Sequence, residues 1–413
     1  MTKRSVLSLL QCAVAASMLA ALNGAAVSAN RNADDGASPA VPYAIVGTGQ
    51  TSCYDDHHEI PPPAPGSPFY GQDAQHRSRR PSYRDNGDGT IGDLNTGLTW
   101  VQDRGAKVTY AEAAAGALKC RAGRHADWRM PTIKELYSLI DFNGAFHPEG
   151  GWKPYIDTKY FEFVYGDQEI RERPIDCQDW SATPYVGTTM DGNATVFGVN
   201  FADGRIKGYP RNRGPRGINR LYVRYVRGNP GYGKNDFHDN GDDTITDRAT
   251  GLTWSKMDSG DGMNWQAALA WVQAKNAANY LGHNDWRLPD AKELQSIVDY
   301  TRAPAVTYSA AIDPVFRTSK TADAEYPYFW TSTTHLDGPR DRQGEAAVYV
   351  AFGRALGWMR FPPGVGPPRL MDVHGAGAQR SDPKSGDPSL FPYGRGPQGD
   401  VIRINNFVRL VRG

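Results

Sequence analysis

Residues 85–102 read DNGDGTIGDLNTGLTWVQ, and residues 239–256 read DNGDDTITDRATGLTWSK. Asn-Gly-Asp-Gly between short alternating runs is hairpin chemistry, because Asn and Gly tolerate positive φ. The Thr-Gly that follows marks a second turn before an apolar strand ending in Trp100 or Trp254. The two stretches stand 154 residues apart, and the likeness continues outward. DWRMPTIKELYSLIDF (127–142) matches DWRLPDAKELQSIVDY (285–300), DWSATP (179–184) matches FWTSTT (329–334), and YVRYVRG (222–228) matches FVRLVRG (407–413). Ordered blocks with variable gaps mean one folded module duplicated in tandem. The first copy covers 83–228, the second 237–413, with 229–236 as linker.

Each block has a local consequence. Thr109 with Glu112 forms a capping box for a first helix; in the second copy Asn264 caps a helix carrying Trp265, Leu269, Trp271 and Val272. A second helix opens after DWR-x-P at Thr132 or Asp290, with Glu135 or Glu293 three residues on. Leu136, Leu139 and Ile140, like Leu294, Ile297 and Val298, give it a buried face. Short strands are expected at 196–201, at 348–352 and in the two closing runs. The fold class is therefore α+β: two tandem modules, each with two helices on a short-stranded antiparallel sheet. The opening hairpin of each is expected to pair with its closing strand. Long irregular segments fall at 143–178, 301–328 and 362–400, and loops of that length are usually functional or disordered. Residues 30–82, with PPPAPGSP at 61–68, read as an extended segment wrapping or tethering the first module.

The chain has 413 residues, with Lys+Arg 46 against Asp+Glu 45. Residues 1–29 read as a secretory signal: Lys3 and Arg4, an apolar run from Val6 to Leu22, and a Val27-Ser28-Ala29 cleavage site. Loss of the leader leaves 44 basic residues against 45 acidic. That balance excludes a globally basic nucleic-acid binder or polybasic membrane protein, though not a local basic patch. Cys12 leaves with the leader, and Cys53, Cys120 and Cys177 remain. An exported chain usually pairs its thiols, so one disulfide and one free thiol are expected. No spacing suits structural zinc, haem or redox chemistry, and no cofactor is expected.

These blocks resemble the Lcl C-terminal domain family, which takes its name from the C-terminal domain of a collagen-like bacterial adhesin. The matching residues are the DNGDGT hairpin, GLTW, DWR-[ML]-P, the KEL helix, W-[ST]-[AS]-T and the closing VR-x-VR, in both copies. The resemblance implies a C-type-lectin-like fold and, for the adhesin, binding of sulfated host glycans; it implies no enzyme. Many members carry one cysteine near the first helix and another in the closing strand. Here Cys120 fits the first position, while Tyr225 and Leu410 occupy the second, and no collagen-like tract is present.

Several constellations carry possible chemistry. Asp85, Asp88 and Asp93 offer oxygens, but EF-hand spacing is not met and a hairpin turn is the better reading. CYDDHHE at 53–59 reads as a solvated polar loop, because neighbours in an extended chain point apart. The sharpest candidate is 205–227, with Arg205, Lys207, Arg211, Arg213, Arg216, Arg220, Arg224 and Arg227 and no acid, interleaved with Tyr209, Tyr222 and Tyr225. Guanidinium forks suit sulfate, carboxylate or phosphate, with Gly-Pro turns holding a loop open. Pairing with acids such as Asp203 or those of another domain, with Arg224 and Arg227 simply on the closing strand, is the competing account. In the second copy, Trp358, Arg360 and His374 stand near Asp372 and Arg380, where an exposed Trp beside charged groups would suit a sugar face. A lone histidine in a Gly-rich loop is, however, more often a surface residue. The six repeat-equivalent tryptophans 100, 128, 180, 254, 286 and 330 read as core.

No nucleophile elbow, P-loop, HExxH or dinucleotide fingerprint is present. The sequence thus leads to an exported, non-enzymatic bacterial protein of the periplasm, cell surface or exterior. Its loops would bind an acidic or sulfated glycan in an adhesion role. A structural component contacting an envelope or matrix protein is the first alternative. The second is a formylglycine-type oxidase using Cys120 or Cys177. Neither nucleic acid nor a stable membrane span is expected.

Overall fold

A computed structural model describes residues 41–212, 217–360 and 365–413. The leader at 1–29, Arg213 and Arg216 lie outside the described residues. In chain order, the segment ahead of the modules forms β1 (Cys53–Tyr54) and β2 (Glu59–Ile60). The first module holds β3 (Tyr83–Asp85), β4 (Thr90–Asp93), β5 (Leu98–Val101), α1 (Tyr110–Lys119) and α2 (Ile133–Ser138). It continues with β6 (Asp179–Pro184), β7 (Thr195–Asn200), β8 (Arg205–Pro210) and β9 (Val226–Gly228). The second repeats the plan with β10 (Phe237–Asp239), β11 (Thr244–Asp247), β12 (Thr253–Ser255), α3 (Trp265–Ala277) and α4 (Ala291–Ser296). A short α5 (Pro304–Thr307) is followed by β13 (Tyr328–His335), β14 (Ala346–Ala351), β15 (Leu356–Met359), β16 (Arg369–Asp372), β17 (Gln379–Pro383) and β18 (Val411–Arg412).

The opening hairpin and closing strand of each module do pair, giving two four-stranded sheets, β3-β4-β5-β9 and β10-β11-β12-β18. Asp85 and Asp88 serve the turn itself, accepting from Gly87 N and from Thr90 N and Oγ1. Gly89 has φ 80°, and its counterpart Asp243 takes φ 64°, a conformation Asp tolerates better than most residues. The capping boxes at Thr109/Glu112, Thr132/Glu135 and Asp290/Glu293 all close.

The family blocks turn out to be mutual braces. Arg129 and Arg287 of the two DWR blocks each fork onto the KEL glutamate, Glu135 and Glu293. Asp127 and Asp285 receive Arg227 and Arg412 of the closing runs, each at 2.7 Å. Arg224 and Arg409, both fully buried, donate to backbone carbonyls of the Trp100 and Trp254 strands and of the loops beyond. The six repeat-equivalent tryptophans are buried.

The two modules share one six-stranded sheet, ordered β13-β14-β17-β8-β7-β6, whose seam is the pairing of β17 with β8. Expected as loop, 205–210 is strand β8, and the Pro/Gly-rich excursion of 362–400 supplies the central strand β17 and the strand β16 that pairs with β15. Local composition pointed to turns there; alternate burial along β8 shows that pairing on both sides prevails. Phe197, Val199, Ile206, Val348 and Val350 face one side, packed with α2 and α4 into the main core. On the other side, α1 covers Trp180 and Val196 at one flank, and α3 covers Trp330 and Tyr349 at the other.

Behind the sheet, α2 and α4 meet around a pseudo-twofold. Lys134 donates to Ser296 O at 2.7 Å, and Lys292 donates to Ser138 O at 2.8 Å. The segment before the first module touches both modules rather than the first alone. Thr48 O accepts from Phe142 N, Asp73 accepts from Thr48 and Thr333, and Gln50 exchanges two bonds with the backbone of Thr334. Cys53, Cys120 and Cys177 are all unpaired, which corrects the expected disulfide. They sit on separate elements: Cys53 in β1, Cys120 capping α1 and Cys177 just before β6.

Candidate functional site

Between the flanking helices, the middle of the front face is uncovered. Directly opposed residues share a face, so register places Arg205, Lys207 and Tyr209 of β8 together with Arg380 and Asp382 of β17. They floor a cleft of about 1360 Å³ with walls from both modules. Unit one contributes Arg173, Met190 and Asn219; unit two contributes Phe146's neighbour Asp337, Arg342, Met359 and the loop 395–400. The excursion of the second module is clasped to the first at one end of this cleft. Tyr185 donates its hydroxyl to Asp372 at 2.8 Å, Met190 N donates to Asp372 O, and Arg369 approaches Asp191 at 3.3 Å.

The floor is charged yet internally matched. Arg205 pairs with Asp203 at 3.3 Å and with Asp337, while Lys207 pairs with Asp203 at 2.9 Å. Burial disfavours the charge on Asp203, but Lys207 and then Arg205 outweigh it and hold the carboxyl at about 2. Burial lowers Lys207 to about 8 and Arg380 to about 10. Arg380 pairs with Asp400, whose other oxygen meets His374 Nε2 at 2.7 Å. Burial, reinforced by Arg380, keeps the His374 imidazole neutral. Among the described residues, the Tyr209 hydroxyl and the Nε and Nη1 of Arg380 are buried without a hydrogen-bond partner.

The sequence candidates are thus distributed unevenly. Arg205, Lys207 and Tyr209 lie in the cleft, but on a strand and ion-paired, not on an open basic loop. Arg211 is exposed with its guanidinium 4.3 Å over the Tyr110 ring, next to the antiparallel bridge of Asn212 with Ile218. Arg220 pairs with Glu112 at 2.9 Å. Trp358 is half-buried and meets Tyr393 edge-on at 5.7 Å, outside the cleft lining; Arg360 is exposed and donates to Gly366 O. His374 is buried beneath the floor, and its carbonyl receives Gly208 N, so it is no surface residue. Sequence reasoning missed Arg342, Glu345, Arg395 and Asp400. The signal for the floor strand β17 was the alternate charged positions Arg380 and Asp382, which mirror Arg205 and Lys207.

Among the described residues no group of His, Cys, Asp or Glu could hold a metal ion, and no helix is long and apolar enough to cross a membrane. The Lcl C-terminal domain family matches residues 89–227 and 243–360, well over half of the chain, and the protein belongs to that family as a tandem of two domains. No curated protein and no solved structure matches it.

Proposed function

We propose that this is an exported, surface-associated binding protein whose two domains are C-type-lectin-like and together hold an acidic or sulfated glycan in the seam cleft. The observation that carries this reading is the construction of the cleft. Both domains build it, from residues outside the shared blocks, and it combines donors, acceptors and apolar side chains such as Met190, Tyr209 and Met359. Export rests on the leader-like residues 1–29.

The role is binding rather than catalysis. Cys177 is wholly buried, and burial pushes its thiol up to about 12, the opposite of what a nucleophile needs. Cys120 caps α1 and does not line the cleft. The test is affinity electrophoresis of the chain through gels carrying a polyuronate, a sulfated polysaccharide or neutral dextran. Retardation by a polysaccharide that Met359→Trp abolishes by filling the cleft, with an unchanged melting temperature, is the expected result. Equal retardation of both proteins would move the site elsewhere.

A further inference from the structure

The balance of charges within the cleft says where an anionic group can sit. Arg205 and Lys207 answer to Asp203 and Asp337, Arg380 answers to Asp400, and Arg173 answers to Asp176 at 2.6 Å. At one place on the wall the ratio breaks. Arg342, from the turn between β13 and β14, and Arg395, from the excursion loop, converge on the single carboxylate of Glu345. Arg342 Nη2 lies 2.8 Å from Oε2, and Arg395 Nη2 lies 3.5 Å from Oε1. Both arginine side chains are about half exposed, at 51% and 49%, whereas Glu345 is only 18% exposed. Arg395 is also laid on the Phe391 ring at 4.6 Å, which fixes its plane. Two guanidiniums sharing one carboxylate leave a net positive charge and several outward N–H donors. That geometry takes a planar or tetrahedral oxyanion bidentately.

We infer that the anionic substituent of the bound glycan, a uronate carboxylate or a sulfate ester, seats on Arg342 and Arg395 at the cleft wall, and not on Arg205, Lys207, Arg211 or Arg220. This rests on the proposed glycan reading and specifies its site. Arg211 and Arg220 are occupied by Tyr110 and Glu112, and Arg205 and Lys207 are neutralised within the floor.

The experiment compares the native chain, Arg342→Gln/Arg395→Gln and Arg211→Gln/Arg220→Gln on immobilised polyuronate, sulfated polysaccharide and neutral dextran across a salt gradient. The first double variant should lose about tenfold in affinity for the anionic polymer the native chain prefers, the scale of lost charge-assisted hydrogen bonds. The second should stay within about twofold, as expected for exposed pairs. Loss on polyuronate alone identifies a carboxylate, and loss on the sulfated polymer alone a sulfate ester. Glu345→Gln releases both guanidiniums and should tighten anionic binding, which a merely structural role would not do. Undiminished binding by the Arg342/Arg395 variant, or equal losses in both variants, overturns this inference alone. No retention of the native chain on any polymer overturns the glycan reading and this inference with it.

Discussion

Lys134 donates to the backbone carbonyl of Ser296 at 2.7 Å, and the repeat-related Lys292 returns the same bond to Ser138. Each domain thus ends the partner domain's helix with its own lysine, the reciprocity of a twofold interface formed within one chain. Burial lowers both ammonium groups to about 8. In the unfolded chain they titrate near 10.4. Between those values the unfolded state binds more protons, so stability rises with pH there. Native protein should therefore gain on Lys134→Met by on the order of 1 kcal/mol as the pH goes from 8 to 9.5, measured by urea midpoints. A constant difference would show that Lys134 titrates normally.

Glu135 and Asp127 carry equally short arginine contacts and should differ sharply in weight. Glu135 is buried, forks with Arg129 and closes the capping box of α2. Its replacement by Ala removes the partner of the partly exposed Arg129 and unpairs Thr132 N, and should cost about 1–3 kcal/mol by chemical denaturation. Asp127 is exposed beside Arg227, and Asp127→Ala should leave the melting temperature essentially unchanged.

The clasp across the cleft has a pH signature. Burial raises the Asp372 carboxyl to about 6, moderated by the Tyr185 hydroxyl and Gly375 N. A raised acid stabilises fully below its unfolded value near 3.9, and that stabilisation is lost as pH rises through about 6. Asp372→Asn should accordingly gain on the native chain, by on the order of 1 kcal/mol, between pH 5 and pH 7.5. Thermal melts at the two values decide it.

Thiol labelling tests the absence of disulfides. One equivalent of maleimide should react readily with native protein, at the half-buried Cys120, and two more should appear only on unfolding. A reducing agent should not shift the melting temperature. Such a shift would reveal a pairing of Cys53 or Cys177.

Much of the fold was legible because the repeated blocks are self-contained local chemistry. Asn-Gly turns, capping boxes at Thr132 and Asp290, and buried tryptophans act within a few residues of one another. The seam was not legible. Arg205 and Arg380 come to one face only through the pairing of Gln379 with Ile206, across 173 residues of chain. A run of cations in sequence does not reveal that Asp337 of the other domain pairs with Arg205. Duplication made the architecture readable twice, while the site arose where the copies diverge.

The outer strands of the shared sheet are closed at both ends. Asp179 of β6 bridges Tyr222, and Phe329 of β13 bridges Phe407, each in parallel. Neither margin therefore offers a bare ladder of amides to a neighbouring molecule. At each margin the segment just ahead of a closing strand, at Tyr222 or Phe407, acts as a stopper. Pairing of a further strand with either margin of this sheet would require unseating Tyr222 or Phe407 first.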